Sequence, residues 1–457
     1  MTTMTAPDLD LTSATPDGLS PESAMALPPS LGWLQALRDA GRARFDELGG
    51  IPSRHDERWR FTSLRSLLKV NLVLWDDEHP ELTAADLDAF AIPGLDAVDL
   101  VFVNGAFAPE LSDDTAALGE RVTCLPLDRA AAEHRELLEP ALNRLAGDSP
   151  HPFTALNAAH LRDGVFVHVP DGVAANKPVR ILSVATSTED PTTLIAAHPR
   201  NVIVAGRDAS VTVLEHYVTT DPELVYLNNS VTELLAAERA HVEHYMLEQE
   251  SQAAFNISTL NIEQQAKSDV KSHTVLLGGA IVRNNVEPTF KGTDSECLIN
   301  GLYVGHGKQH LDNAMHVVHD APGCRSRQHY KGIMMDEAHG VFTGRILVTK
   351  EGQQTDAVQS SRSMLLSDDA RINARPQLEI YADDVKCTHG ATTGHVDPEA
   401  VFYFRSRGLS EEVARAMLIY AFSAEGFDRM DLQPVRQLLA QQMIDKLPMA
   451  KGLSIEV

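Results

Sequence analysis

Short β-favouring runs crowd the middle of this chain, and their number and spacing limit what it can become. From residue 163 they follow one another as VFVHV (165–169), VRILSV (179–184), NVIVA (201–205), SVTVLEHY (210–217), SVTELLA (230–236), AHVEHYML (240–247) and FNISTLNIE (255–263). VKSHTVLL (270–277), AIVRNNV (280–286), CLINGLYV (297–304), NAMHVVHD (313–320), RQHYKGIM (327–334) and GVFTGRILV (340–348) continue the series. Each run is rich in Val, Ile, Leu or Thr, most alternate, and Gly, Asn or Asp lies between them, which is the signature of strands. No long helical pattern separates them, which argues against a doubly wound α/β sheet. A β-sandwich and a barrel stay open on strand content. More than a dozen strands is many for one sandwich, however, and no paired NG or DG hairpin turns punctuate the runs. Stacked coils of a parallel β-helix fit regular short strands without hairpins, although no sharp consensus repeat is visible.

Helical patterns flank this region. Trp33, Leu34, Leu37, Phe45 and Leu48 fall on one helical face, and Gly49-Gly50-Ile51-Pro52 ends that run. ERWRFTSL (57–64) is an aromatic cluster suited to packing between elements, LVFV (100–103) is a predicted strand, and RAAAEHRELLEPALNRLA (129–146) is an amphipathic helix candidate. After His395 come PEAVFYFRSRG and LSEEVARAMLIYAFSAEGFDRM, a helix, a stop at Gly408 and a second helix. Ser410 is the expected N-cap, with Glu411 and Glu412 well placed in the first turn. The expected division is a flexible acidic arm over 1–30, an N-terminal helical region over 31–162, a β core over 163–395 and a C-terminal helical domain over 396–457.

Composition removes several function classes. The 39 basic and 64 acidic residues give a net charge of -25, which disfavours nucleic acid as a partner. Cys124, Cys297, Cys324 and Cys387 lie far apart with no CxxC, as suits a reducing cytosol. No apolar run is long enough for a membrane span, and the first thirty residues contain no Lys or Arg, unlike a secretory or transit peptide. The expected location is therefore cytoplasmic. The chain has no GxxxxGKS/T loop, no strand leading into GxGxxG, no GxSxG and no HExxH, so any nucleotide chemistry must come from a partner.

Among the remaining chemistry, Cys387-Thr388-His389 stands out in DDVKCTHGATTGH (383–395). Residues two apart on a strand share a face, with Cα atoms ~6.7 Å apart. Thiolate and imidazole suit iron, zinc or an iron–sulfur cluster, but two ligands do not close a tetrahedral site. On these residues alone the pair is a metal half-site, a nucleophilic dyad lacking an orienting third group, or simply two strand residues. Asp383-Asp384 could suggest paired carboxylates of a carbohydrate-active β-helix enzyme, but adjacent strand residues face opposite ways, so turn chemistry suits them better. His306, His310, His316 and His319 crowd around Asp312, yet His316 and His319 also face opposite ways on a strand. Cys297 and Cys324 read as small buried residues.

Longer motifs then point to a family. TDAVQSSRSMLLSDDARINARPQLEIYADDVKCTHGATTG (355–394), SRQHYKG (326–332), VFTGRILV (341–348), FYFRSRGLSEEVARAMLIYAF (402–422) and ERWRFTSL closely resemble the SufD-type scaffold subunits of SUF iron–sulfur cluster assembly. The resemblance runs from about Glu57 to Glu425 and is dense beyond Gly278. Gly390, where SufB-type sisters have Glu, places the chain on the SufD side. The resemblance implies a right-handed parallel β-helix between helical domains, a SufB partner joined through the β-helices, and a SufC-type ABC ATPase on the C-terminal domain. It leaves open a homodimer when the chain is alone. It also implies that this subunit is no enzyme by itself, that a transient iron–sulfur cluster forms at the SufB junction, and that His389 and, secondarily, Cys387 contribute there. Phe402, Phe404, Val413, Met417, Leu418 and Phe422 become the SufC docking element. A purely structural platform, with every cluster ligand in SufB, is the alternative.

Overall fold

The computed structural model describes residues 16–74, 82–188, 190 and 193–446. Its centre is a parallel β-solenoid of about seven turns, formed by two facing sheets that the chain visits alternately. In the first sheet, successive coils contribute Arg200–Ala205, Leu227–Ala236, Phe255–Gln264, Ile281–Phe290, His310–His319, His339–Val348 and Arg371–Ile380. In the second they contribute Val179–Ala185, Ser210–Thr219, His241–Gln249, Asp269–Leu276, Glu296–Gly305, Arg325–Met334, Asp356–Leu365 and Lys386–Gly394. Alternation places Val211, Val242, Val270 and Cys297 in one inward column, and Val282, Leu311, Phe342 and Ile346 face them from the other sheet within a single apolar core.

The coils are unequal, which hides the repeat. Phe255 pairs with Ile281, 26 residues on, whereas His339 pairs with Arg371, 32 residues on. Six corners from first to second sheet are tight because each holds a residue at positive φ, Asp208, Arg239, Lys267, Asp294, Gly323 and Gln354 in turn, whereas the corner over 381–385 holds none. Hairpin signals are absent from the later coils because each connection from Arg200–Ala205 onward is a corner between sheets; before them, Asn104-Gly105 turns Val98–Val103 into the antiparallel Ala106–Phe107. The left-handed position is mostly filled by Asp, Arg, Lys and Gln, so no glycine spacing betrays it.

The start of the solenoid reaches into the region read as helical. Val98–Val103 pairs in parallel with Val179–Ala185, and Thr123–Pro126 closes the first sheet antiparallel to Val165–Val169. The helices here are short: α1 (Gln35–Glu47), α2 (Ala84–Leu87), α3 (Leu127–Glu133), α4 (Arg135–Leu138) and α5 (Pro152–Ala159). The continuous helix expected over 129–146 is broken at His134 (φ -133°, ψ 38°). Beyond Pro140, the backbone N–H groups of Asn143, Leu145 and Ala146 turn onto the Glu233 carboxylate instead of continuing a helix. Every residue of α5 is buried, and α1 lies close against it because Gly41 has no side chain; a Cβ there would stand 2.6 Å from the Ala159 nitrogen. The arm expected to be flexible through residue 30 is packed from Asp17 onward. Short 3-10 turns carry Leu19 into the cluster formed by Leu72, Ala196 and Phe153, an apolar anchor hidden among Pro, Ser and Asp. Residues 1–15 of that arm lie outside the described residues.

At the other end α6 (Pro398–Arg405), α7 (Glu411–Ala424) and α8 (Gln433–Lys446) fold back over the outer face of the second sheet. Ala416, Ile419, Leu439 and Met443 meet Tyr245, Leu247, Val275 and Leu302 there. Ser410 caps α7 by accepting from the Val413 N–H at 3.2 Å. Among the described residues no helix is long and apolar enough to cross a membrane.

Candidate functional site at the open end of the solenoid

The last coil has neighbours on one side only. Arg371–Ile380 and Lys386–Gly394 each pair with the preceding coil, and no described strand pairs with their outer edges. A row of free backbone donors and acceptors of this kind invites a second strand or chain. Tyr381, at the corner, is 61% exposed, and nearly all of Lys386–Gly394 is exposed. Asp383 and Asp384 form that corner, where the Asp384 carbonyl accepts from the Gln354 N–H and its N–H donates to Gln353 Oε1 at 3.1 Å. They serve the turn, as their adjacency suggested.

Cys387 and His389 do share a face. Their register partners, Ala357 and Gln359, are both buried in the interior, so the pair occupies the inward columns of the final coil. Cys387 is half-buried against the core and ends the column Cys297, Ser326, Ala357. His389 is exposed above Gln359. Burial raises the Cys387 thiol; a hydrogen bond with the Ala357 backbone opposes the rise and the charge of Asp356 adds to it. The thiol thus carries its proton at neutral pH. Cys124, Cys297 and Cys324 are buried, and Cys124 is pushed up to about 12 by that burial, as inert core thiols are.

The histidines near Asp312 are not brought together. His319 is inward and bonds Ser326 Oγ at 2.9 Å, His316 faces out, and His310 meets His339 at 3.1 Å between their Nδ1 atoms. Among the described residues no group of three or more His, Cys, Asp or Glu side chains is arranged to hold a metal.

The helical pair divides the six apolar residues singled out in it. Phe404, Leu418 and Phe422 turn back onto the cluster shared with the second sheet, and the Lys331 ammonium sits 4.1 Å from the Phe422 ring centre. Val413 and Met417 are half-buried outside that cluster, and Phe402 is 72% exposed. Tyr403, which the sequence reading did not select, is 53% exposed beside it. Helix α8, also unselected, covers the second sheet; its apolar residues are spread too evenly for a face to show in the sequence.

A parallel β-solenoid whose last coil has free outer edges and carries a Cys-x-His pair, followed by helices with exposed aromatics, defines a class of scaffold architecture. The description "SUF system FeS cluster assembly, SufBD core domain" matches residues 185–422, and "SufBD protein N-terminal region" matches residues 22–181. A SufBD family iron–sulfur cluster assembly protein of Synechocystis is 34% identical over 405 residues, covering 87% of this chain and 88% of that one. Iron–sulfur cluster assembly protein SufD of Escherichia coli is 31% identical over 402 residues, covering 87% and 90%. SufD of Bacillus subtilis is 28% identical over 316 residues, covering 68% and 70%. The chain belongs to the SufBD family of the SUF iron–sulfur cluster assembly system.

Proposed function

We propose that this chain acts as the SufD-type, non-catalytic subunit of a cytoplasmic assembly with a SufB-type chain and a SufC-type ATPase. The open end of the solenoid joins SufB, and a nascent iron–sulfur cluster, the cargo of the assembly, forms at that joint. His389 supplies a ligand or positions one, and Cys387 is a second candidate whose proton leaves when iron arrives. The ATPase docks on the helical pair through Phe402, Val413 and Met417, with Phe404, Leu418 and Phe422 holding the pair on the solenoid.

One observation carries this reading. Cys387 and His389 share a face on the last coil, whose outer edges pair with no described strand, so a chain continuing the sheets would reach both. Two ligands leave room for others, and a partner chain is where they would come from. The test is to co-express this chain with SufB- and SufC-type partners, purify without oxygen, and measure iron and acid-labile sulfide per complex. An intact His389→Ala complex that has lost both supports the shared site. Unchanged content makes this subunit a structural platform with all cluster ligands in SufB.

A further inference from the structure

The outer face of the first sheet holds a cleft of about 520 Å³ that extends onto the last coil through Arg375, Gln377 and Glu379, within the ~300–1,000 Å³ typical of small-molecule sites. Parallel register explains it. Ala314 lies beside Thr343 and Thr343 beside Arg375, a row that is small in its middle. One step along, His316 lies beside Arg345 and Arg345 beside Gln377, a row of long polar side chains. The hollow over Ala314 and Thr343 is therefore walled by charge. The 3-10 turn Glu57–Trp59 closes over one side. The Arg283 guanidinium lies 4.3 Å from the Trp59 ring centre, and Glu57 meets Arg375 at 2.5 Å. His151, just before α5, reaches Glu287 at 2.8 Å from the other side.

Four arginines and two histidines line the cleft against the carboxylates of Asp56, Glu57, Glu287 and Glu379. Arg283, Arg345 and Arg375 are paired with Asp312, Glu379 and Glu57, but Arg58 makes no ion pair among the described residues. Arg283 Nε, Arg345 Nε and His316 Nε2 are buried without a hydrogen-bond partner. An arginine Nε–H only donates, so two of these three call for an acceptor. Glu287 is the opposite pole. Burial would raise its carboxyl, but His151, His316 and Arg58 bring it down to about 2, so it stays an acceptor throughout the physiological range. Four guanidinium groups beside the imidazoles disfavour a metal cation here, and no three-ligand group is present among the described residues.

We propose that this cleft binds a small organic oxyanion, a carboxylate or phosphate ester, with its charged end on Arg58 and Arg345 and a hydroxyl or amino group on Glu287. Arginine forks are matched to both oxyanions, and the cleft is larger than an inorganic ion needs. The site lies on the outer face, apart from the inward columns that hold Cys387 and His389, and adds small-molecule binding to a chain otherwise read as a protein-binding scaffold.

Calorimetric titration of the full chain with citrate, glycerol 3-phosphate and inorganic phosphate tests it. The expected result is one-to-one binding of citrate, glycerol 3-phosphate or both, tighter than inorganic phosphate. Which of the two organic probes binds distinguishes a carboxylate from a phosphate-ester ligand. Arg58→Gln and Arg345→Gln should each weaken binding about tenfold, the equivalent of one charge-assisted hydrogen bond. Arg58 is exposed, so its variant keeps the fold even if Arg345→Gln does not, and thermal melts report which has happened. No binding of either organic probe, affinity no better than that of inorganic phosphate, or equal affinity in Arg58→Gln overturns the proposal.

Discussion

Gln359 lies directly beneath His389 in the parallel register of the second sheet, and its amide donates to Gln328 Oε1 at 2.8 Å. The exposed histidine therefore stands on a buried polar column, and the two residues have opposite relations to stability. Gln359→Ala strands Gln328 in the interior and should cost about 1–3 kcal/mol. His389→Ala removes an exposed side chain and should stay within about 0.5 kcal/mol. Urea unfolding of the isolated chain checks both. A large loss in His389→Ala would mean that its effect on cluster content cannot be assigned to ligation.

The helical pair predicts a similar separation. Phe402 is exposed and Phe422 is held under Lys331 against the solenoid. Phe402→Ala should leave the melting temperature unchanged and abolish co-purification of the SufC-type ATPase. Phe422→Ala should destabilise the C-terminal helices by about 2–4 kcal/mol, in the range of large-to-small changes at buried aromatic sites reduced for its partial exposure. Pull-down and melting curves on both variants decide it. A Phe402→Ala chain that still retains the ATPase moves the docking surface off α6.

What the sequence made legible follows the physics of each feature. Strand alternation is local, so the runs from VFVHV to GVFTGRILV fall on observed strands, and adjacent spacing alone put Cys387 and His389 on one face. Leu19 was invisible because one apolar residue in a polar segment has no period. Helix 129–146 failed because its continuation is undone by the distant Glu233, which local periodicity does not sense. The cleft was equally hidden: Arg58, Glu287, His316 and Arg345 come from four elements, and only the coil register gathers them. His316 drew notice for its histidine neighbours, which turned out to be the wrong company.

The corners yield a stability prediction. Lys267 is exposed, holds φ at 59° and donates its N–H to the Thr293 carbonyl, yet its side chain makes no ion pair among the described residues. A side chain in the left-handed region costs ~1–2 kcal/mol, and glycine forfeits ~0.5–1 kcal/mol through its freer unfolded chain. Lys267→Gly should therefore raise stability by about 0.5–1 kcal/mol. Denaturant midpoints measure it, and a loss would mean that the lysine stem contributes packing at that corner.

Glu250 gives the solenoid a pH dependence. Burial and the neighbouring charge of Glu248 push its carboxyl up to about 8, against hydrogen bonds from Asn256 Nδ2 at 2.7 Å and Asn228 Nδ2 at 3.3 Å. A folded-state value above the unfolded one means that the native chain binds the extra proton. This contribution to stability is complete below about pH 4.3, declines as pH rises, and is gone above about pH 8. Its slope is at most ~1.4 kcal/mol per pH unit. Glu250→Gln keeps the shape and loses the titration, so its unfolding free energy should fall less steeply than wild type between pH 5 and 8. Urea titrations of both chains at four pH values across that window measure the difference. Curves that diverge with rising pH, wild type falling below the variant, place the proton on Glu250; parallel curves would show that Glu250 is already ionised in the fold, with the surrounding amides carrying the cost.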